Sequence, residues 1–148
     1  MQLSISTESI LKQLYALSSL RSYLTSTPSV VDPFLSEDNR EGLIPVLQEA
    51  LSHVMVDIMP HLQVITPPNS IDDLIEIELN VVNLPSGTDK VMESAIVERM
   101  LQILYAPISE STSHQFAEMA QRSASTLHTI ITNCAIDSTT LSVRWNGY

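Results

Sequence analysis

Apolar residues first recur at helical spacing. Ile10, Leu11, Leu14, Leu17, Leu20 and Leu24 fall three or four apart, which predicts a helix capped by Ser6 or Thr7 and running to about Leu24. Pro28 and the Asp32-Pro33 pair break it, because the residue before a proline is driven out of helical geometry. A second helix opens at Ser36, where Glu37 and Asp38 complement the positive end of a helix dipole. Its stripe is Leu43, Leu47, Leu51, Val54, Met55 and Ile58, ending near Met59. Pro45 inside this stretch implies either a kink or a short helix followed by a new one beginning at Pro45. Pro60 and Pro67-Pro68 close the region.

The period then changes. Ile75, Ile77, Leu79 and Val81 alternate with Glu76, Glu78 and Asn80, the signature of a strand buried on one face, near residues 73–82. Beyond Pro85-Ser-Gly, a third helix begins at Ser86, Thr88 or Asp89 and carries Met92, Ala95, Ile96, Met100, Ile103 and Leu104. Pro107 separates it from a fourth, capped by Ser109, Ser111 or Ser113, whose seam is Phe116, Ala120, Ala124, Leu127, Ile131 and Cys134. Small residues in that seam allow close approach of another helix. Residues 139–146 alternate again, with Leu141, Val143 and Trp145 on one face. The expected fold is mostly α, within an α+β frame. It is one helical domain over residues 1–148, with four main helices in αα-β-αα-β order. The two strands pair with each other or with another chain.

Composition supports a packed aliphatic core, since 44% of the 148 residues are hydrophobic and only 5% aromatic. Charge narrows the partners. Seventeen acids face seven bases, a net charge of −10, and the bases are scattered singly from Lys12 to Arg144. Phosphate neutralisation needs clustered cations, so neither sequence-specific nucleic-acid binding nor attachment to an anionic membrane is expected. Met1–Glu8 has no signal-peptide pattern, no apolar run approaches a membrane span, and the single Cys134 has no disulfide partner in its own chain. A reducing cytoplasm fits.

Candidate chemistry is sparse. Glu49, His53, Asp57 and His61 repeat every four residues, placing metal-ligating groups on one stripe. That stripe lies opposite the apolar one, so it reads as a solvated face, and no zinc, iron or manganese is expected to accompany the purified protein. His114, Glu118, Gln121, Ser125 and His128 form a similar stripe, with His114 and Glu118 spaced for surface pairing. Cys134 continues an apolar seam and reads as a buried small hydrophobe. Three glycines cannot build a phosphate-cradling loop, and no serine lies in a nucleophile motif. No cofactor, small-molecule substrate or enzymatic activity is expected. The interface residues expected are Ile75, Ile77 and Leu79 on the first strand, with Val143, Trp145 and Tyr148 at the end of the chain.

Taken whole, the opening helices with Leu35-Ser-Glu-Asp-Asn-Arg-Glu, the middle Ile75-Glu-Ile-Glu-Leu and the paired helices over 93–105 and 115–133 resemble the small head–tail connector, or neck, proteins of tailed bacteriophages. The resemblance is one of pattern and transfers no individual site. It implies a non-enzymatic subunit forming a homo-oligomeric ring between portal and tail proteins, located in the virion neck after assembly in the bacterial host cytoplasm. An acidic wall would not hold the DNA passing through it. The alternative is an acidic helical module that sequesters a basic protein partner.

Overall fold

Short-range signals build the elements, and the computed structural model describes residues 1–25 and 40–134. In chain order these residues form β1 (Gln2–Ser6), α1 (Thr7–Thr25), α2 (Ile44–Asp57), β2 (Leu62–Thr66), β3 (Leu74–Leu79), α3 (Thr88–Tyr105) and α4 (Glu110–Cys134). Short 3-10 turns, Glu41–Leu43 and Met59–His61, flank α2. The fold is mostly α with a small antiparallel sheet, as the apolar periodicity implies.

Hydroxyl caps open the first and last helices, while α2 and α3 begin at a proline and a glycine without a side-chain cap. The Ser6 hydroxyl accepts from the Ser9 amide at 3.3 Å, so the last residue of β1 also caps α1. Pro45 sits in the first turn of α2, where its missing N–H costs nothing, so the second of the two readings of Pro45 is the one realised. The expected opening at Ser36 lies outside the described residues. Gly87 precedes α3 at φ +94°, and a Cβ there would meet nothing within 4 Å. Backbone conformation alone therefore selects glycine at this position. The Ser109 hydroxyl accepts from the Thr112 amide at 3.3 Å and starts α4.

The sheet differs most from expectation. Its order is β1-β3-β2, antiparallel throughout, with β3 in the centre. Neither β1 nor β2 was anticipated, and the partner expected for β3, at 139–146, lies outside the described residues. Along β1, Leu3 pairs with Ile77 and Ile5 with Ile75. Along β2, Leu62 pairs with Leu79 but Val64 with Glu78, so Gln63 is an extra residue that bulges the strand. The bulge turns Leu62 and Ile65 toward the helices and leaves Val64 on the solvent face beside Glu78.

The core lies between this sheet and the helices. Ile75, Ile77 and Leu79 from β3 join Ile10, Leu11 and Leu14 from α1, Leu47 and Leu51 from α2, and Leu127 and Ile131 from α4. The hub is α3, which contacts α1, α2, α4 and β1. Its buried residues, from Met92 to Tyr105, occupy more than one face, as a helix enclosed by neighbours requires. The seam expected for α4 is the observed one. Phe116, Ala120, Ala124, Leu127 and Ile131 are buried and Cys134 is half-buried, and α4 makes its most extensive contact with α3. The stripe of α1 joins the core only as far as Leu17, since Leu20 and Leu24 are exposed.

Candidate functional site

Three places hold side chains that the fold leaves with chemical capacity. The first is an apolar groove of about 590 Å³ between α2 and β2, lined by Leu51, Met55, Val56, Met59, Ile65 and Pro67 with Gln48 and Ser52 at its edge. Val56 is 63% and Met59 60% exposed, the two large apolar side chains of this stretch that the core leaves uncovered. Polar bonds fix the loop at one end of the groove. Gln48 donates from Nε2 to the Pro68 carbonyl at 2.8 Å, and Asp73 Oδ2 accepts from the Asn69 and Ser70 amides at 2.8 and 3.0 Å. Those two backbone donors hold the Asp73 carboxyl below its ordinary value, because they favour the charged form. The loop from β2 to β3 is thus tied both to α2 and to itself. Beside the groove runs the outer edge of β2, which pairs with no strand among the described residues.

The second place is a polar crevice of about 310 Å³ where α4 passes the end of α2, lined by Asp57, Gln121, Ala124, Ser125, His128 and Thr129. His128 lines it, and His61 stands beside His128 with ring centroids 6.4 Å apart and planes inclined by 48°. Their Nε2 atoms both lie 3.5 Å from the Thr132 hydroxyl, and His128 Nδ1 lies 3.1 Å from the Asp57 carbonyl oxygen. The sequence assigns these two histidines to separate solvated stripes and gives no hint that they meet. Their meeting depends on the 3-10 turn Met59–His61, which carries His61 off the end of α2. Glu49 and His53 stay exposed on α2. Among the described residues no three His, Cys, Asp or Glu side chains gather as a metal-ligand set. His114 pairs with Glu110 at 3.6 Å, one turn before it, rather than with Glu118.

The third is a pair of buried carboxylates on α3. Glu93 accepts from the Ser9 hydroxyl at 3.4 Å and lies 3.5 Å from Lys90 Nζ. Glu98, 9% exposed, accepts from the Ser123 hydroxyl at 2.7 Å. Burial raises the Glu98 carboxyl above its ordinary value, while the Ser123 bond and the Arg99 charge pull the other way. A carboxyl whose folded pKa is raised binds its proton more tightly in the folded state. Its contribution to stability is complete below the unfolded pKa and is lost as pH rises through the folded one. Glu98→Gln keeps an acceptor for Ser123 and removes the buried charge. The variant should melt higher than the parent at neutral pH, with the difference vanishing in acid. Thermal melts across that range check it.

Of the expected interface residues, Ile75, Ile77 and Leu79 are fully buried in the chain's own core, and both edges of β3 are occupied. Their burial is explained by the sheet's own helices, so they offer no surface to a neighbour. The open edges belong to β1 and β2, which the sequence reading missed. Val143, Trp145 and Tyr148 lie outside the described residues. Glu76 and Glu78 project from the solvent face, flanked across the ladder by Ser4 and Thr66 and by Gln2 and Val64. No helix among the described residues is long and apolar enough to cross a membrane.

Comparison with known proteins identifies no relative: no family model, no curated protein and no solved structure matches the chain.

Proposed function

We propose that this chain is a non-enzymatic structural subunit that acts through protein–protein contact, as a ring-forming connector between the portal and tail of a bacteriophage does. The observation supporting this is the apolar groove lying alongside the open edge of β2. A neighbouring copy that adds a strand to that edge satisfies its backbone groups and places alternate side chains over the groove, which combines the two main sources of affinity in strand addition. Val56 and Met59 are then contact residues. The acidic composition suits a subunit whose ring encloses DNA without holding it.

Native mass spectrometry at micromolar protein tests the reading. A closed oligomer is expected, and Val56→Asp with Met59→Asp should dissociate it while leaving helical circular dichroism intact, because both side chains are exposed in the single chain. A protein that stays monomeric, alone and with portal or tail proteins, would sink the proposal.

One observation favours the second reading, an acidic module that sequesters a basic protein. Glu76 and Glu78 project side by side from the solvent face of the sheet, and no cation stands opposite either in the ladder. A monomer that captures a basic protein, and loses it on Glu76→Lys with Glu78→Lys, would establish that reading instead.

A further inference from the structure

His61 and His128 come from distant parts of the chain and approach a single hydroxyl. The Asp57 carbonyl 3.1 Å from His128 Nδ1 can only accept a hydrogen bond, so Nδ1 carries the proton and donates it. In the neutral ring Nε2 is then a bare lone pair. It lies 3.5 Å from Thr132 Oγ1, and His61 Nε2 lies at the same distance from the same oxygen. The hydroxyl has one proton and serves one nitrogen at a time. An imidazole fixed by a backbone carbonyl, with its other nitrogen turned to an open space, is the arrangement by which proteins hold a metal-ligating histidine.

We propose that His61 and His128 form a two-histidine site for a divalent transition-metal ion of the zinc, nickel and copper class. Their Nε2 atoms are the ligands, and water completes the shell. Imidazole nitrogen suits these ions, and a tetrahedral zinc bound at about 2.0–2.1 Å holds two such nitrogens roughly 3.4 Å apart. The ring centres stand 6.4 Å apart, so to reach that separation the two side chains must turn toward each other and also close by roughly 1 Å as Thr132 rotates aside, a rotamer-scale adjustment. The adjoining crevice has room for water, and neither lysine nor arginine lines it. Two protein ligands make an open, exchangeable site rather than a closed structural one, so an ion is taken up from solution and is lost during purification. The bound ion would tie the turn that leads into β2 to the C-terminal part of α4.

Isothermal titration of the full chain with zinc chloride, in a non-chelating buffer, tests the assignment. One equivalent should bind and be stripped by EDTA. His61→Ala and His128→Ala should each weaken binding by more than about tenfold, since even outer-shell substitutions cost roughly 10–100-fold. His53→Ala, His114→Ala and Cys134→Ser should leave it unchanged. The same titration followed by long-range imidazole 1H–15N spectra should move the Nε2 resonances of His61 and His128 alone. Absence of binding, or binding that survives both alanine variants, overturns the proposal. Loss of binding on Cys134→Ser with neither Nε2 shifted overturns it equally.

Discussion

Tyr105→Ala is expected to remove about 3–5 kcal/mol of unfolding free energy, the range for deleting a large buried aromatic side chain. Tyr105 closes α3 with no exposed surface and stacks on Phe116 of α4, centroids 5.6 Å apart and planes within 17° of parallel. Its backbone carbonyl, which the alanine variant keeps, accepts from the Ile108 and Ser109 amides at 2.9 and 2.8 Å, and the ring packs at the turn between the two helices that share the most extensive contact in the fold. Its hydroxyl, by contrast, is buried with no hydrogen-bond partner among the described residues. Burying an unpaired hydroxyl costs free energy, so Tyr105→Phe should be neutral or stabilising. Urea denaturation of both variants checks the pair. An alanine variant as stable as the parent would mean that Phe116 and its neighbours fill the space. A phenylalanine variant destabilised by more than about 1 kcal/mol would mean that the hydroxyl has a bonded partner in solution.

The second large effect is expected at the centre of the sheet. Ile77 pairs with Leu3 on one side and Ile65 on the other, and is fully buried. Ile77→Ala should cost about 2–5 kcal/mol, because the cavity opens where three strands meet the helices and none can shift without breaking register. Glu76→Ala, one residue away on the opposite face, should change stability by no more than about 0.5 kcal/mol. Equilibrium unfolding of the two variants separates the faces of β3. Equal losses would show that the face assignment is wrong.

What the sequence reveals of this fold follows how much of each element's pattern is written locally. The alternation in β3 and the seam of α4 run long enough to be unmistakable, and both are buried as the spacing implies. β1 contains only two apolar side chains, Leu3 and Ile5, ahead of a strong helix signal, and so merges with the lead-in to α1. In β2 the bulge at Gln63 interrupts the alternation itself, and the prolines at 60, 67 and 68 mimic a loop. Ser6 hides a strand end because it is also a helix cap. The two histidines were visible as residues but not as a pair, since their approach depends on a three-residue turn and on how α4 crosses α2. Buried Glu98 carried no signal either, because only the packing of α3 against Ser123 removes it from water.

The position of β1 has a consequence for how the chain acquires its structure. Gln2 pairs with Glu78, so β1 must wait until β3, about half the chain further on, has been made before it finds its partner. β2 and β3 are neighbours in sequence and can zip together at once, as can α3 and α4 across their short turn. Such local pairings close small loops and are fast, whereas joining β1 to β3 spans a long loop whose entropy must be met before any contact is gained. The fold therefore has a late step. Until β1 docks, one side of β3 presents an open backbone edge beside Ile75 and Ile77. In that interval the nascent molecule is most exposed to pairing with the wrong strand, and it is then that a chaperone would have most to do.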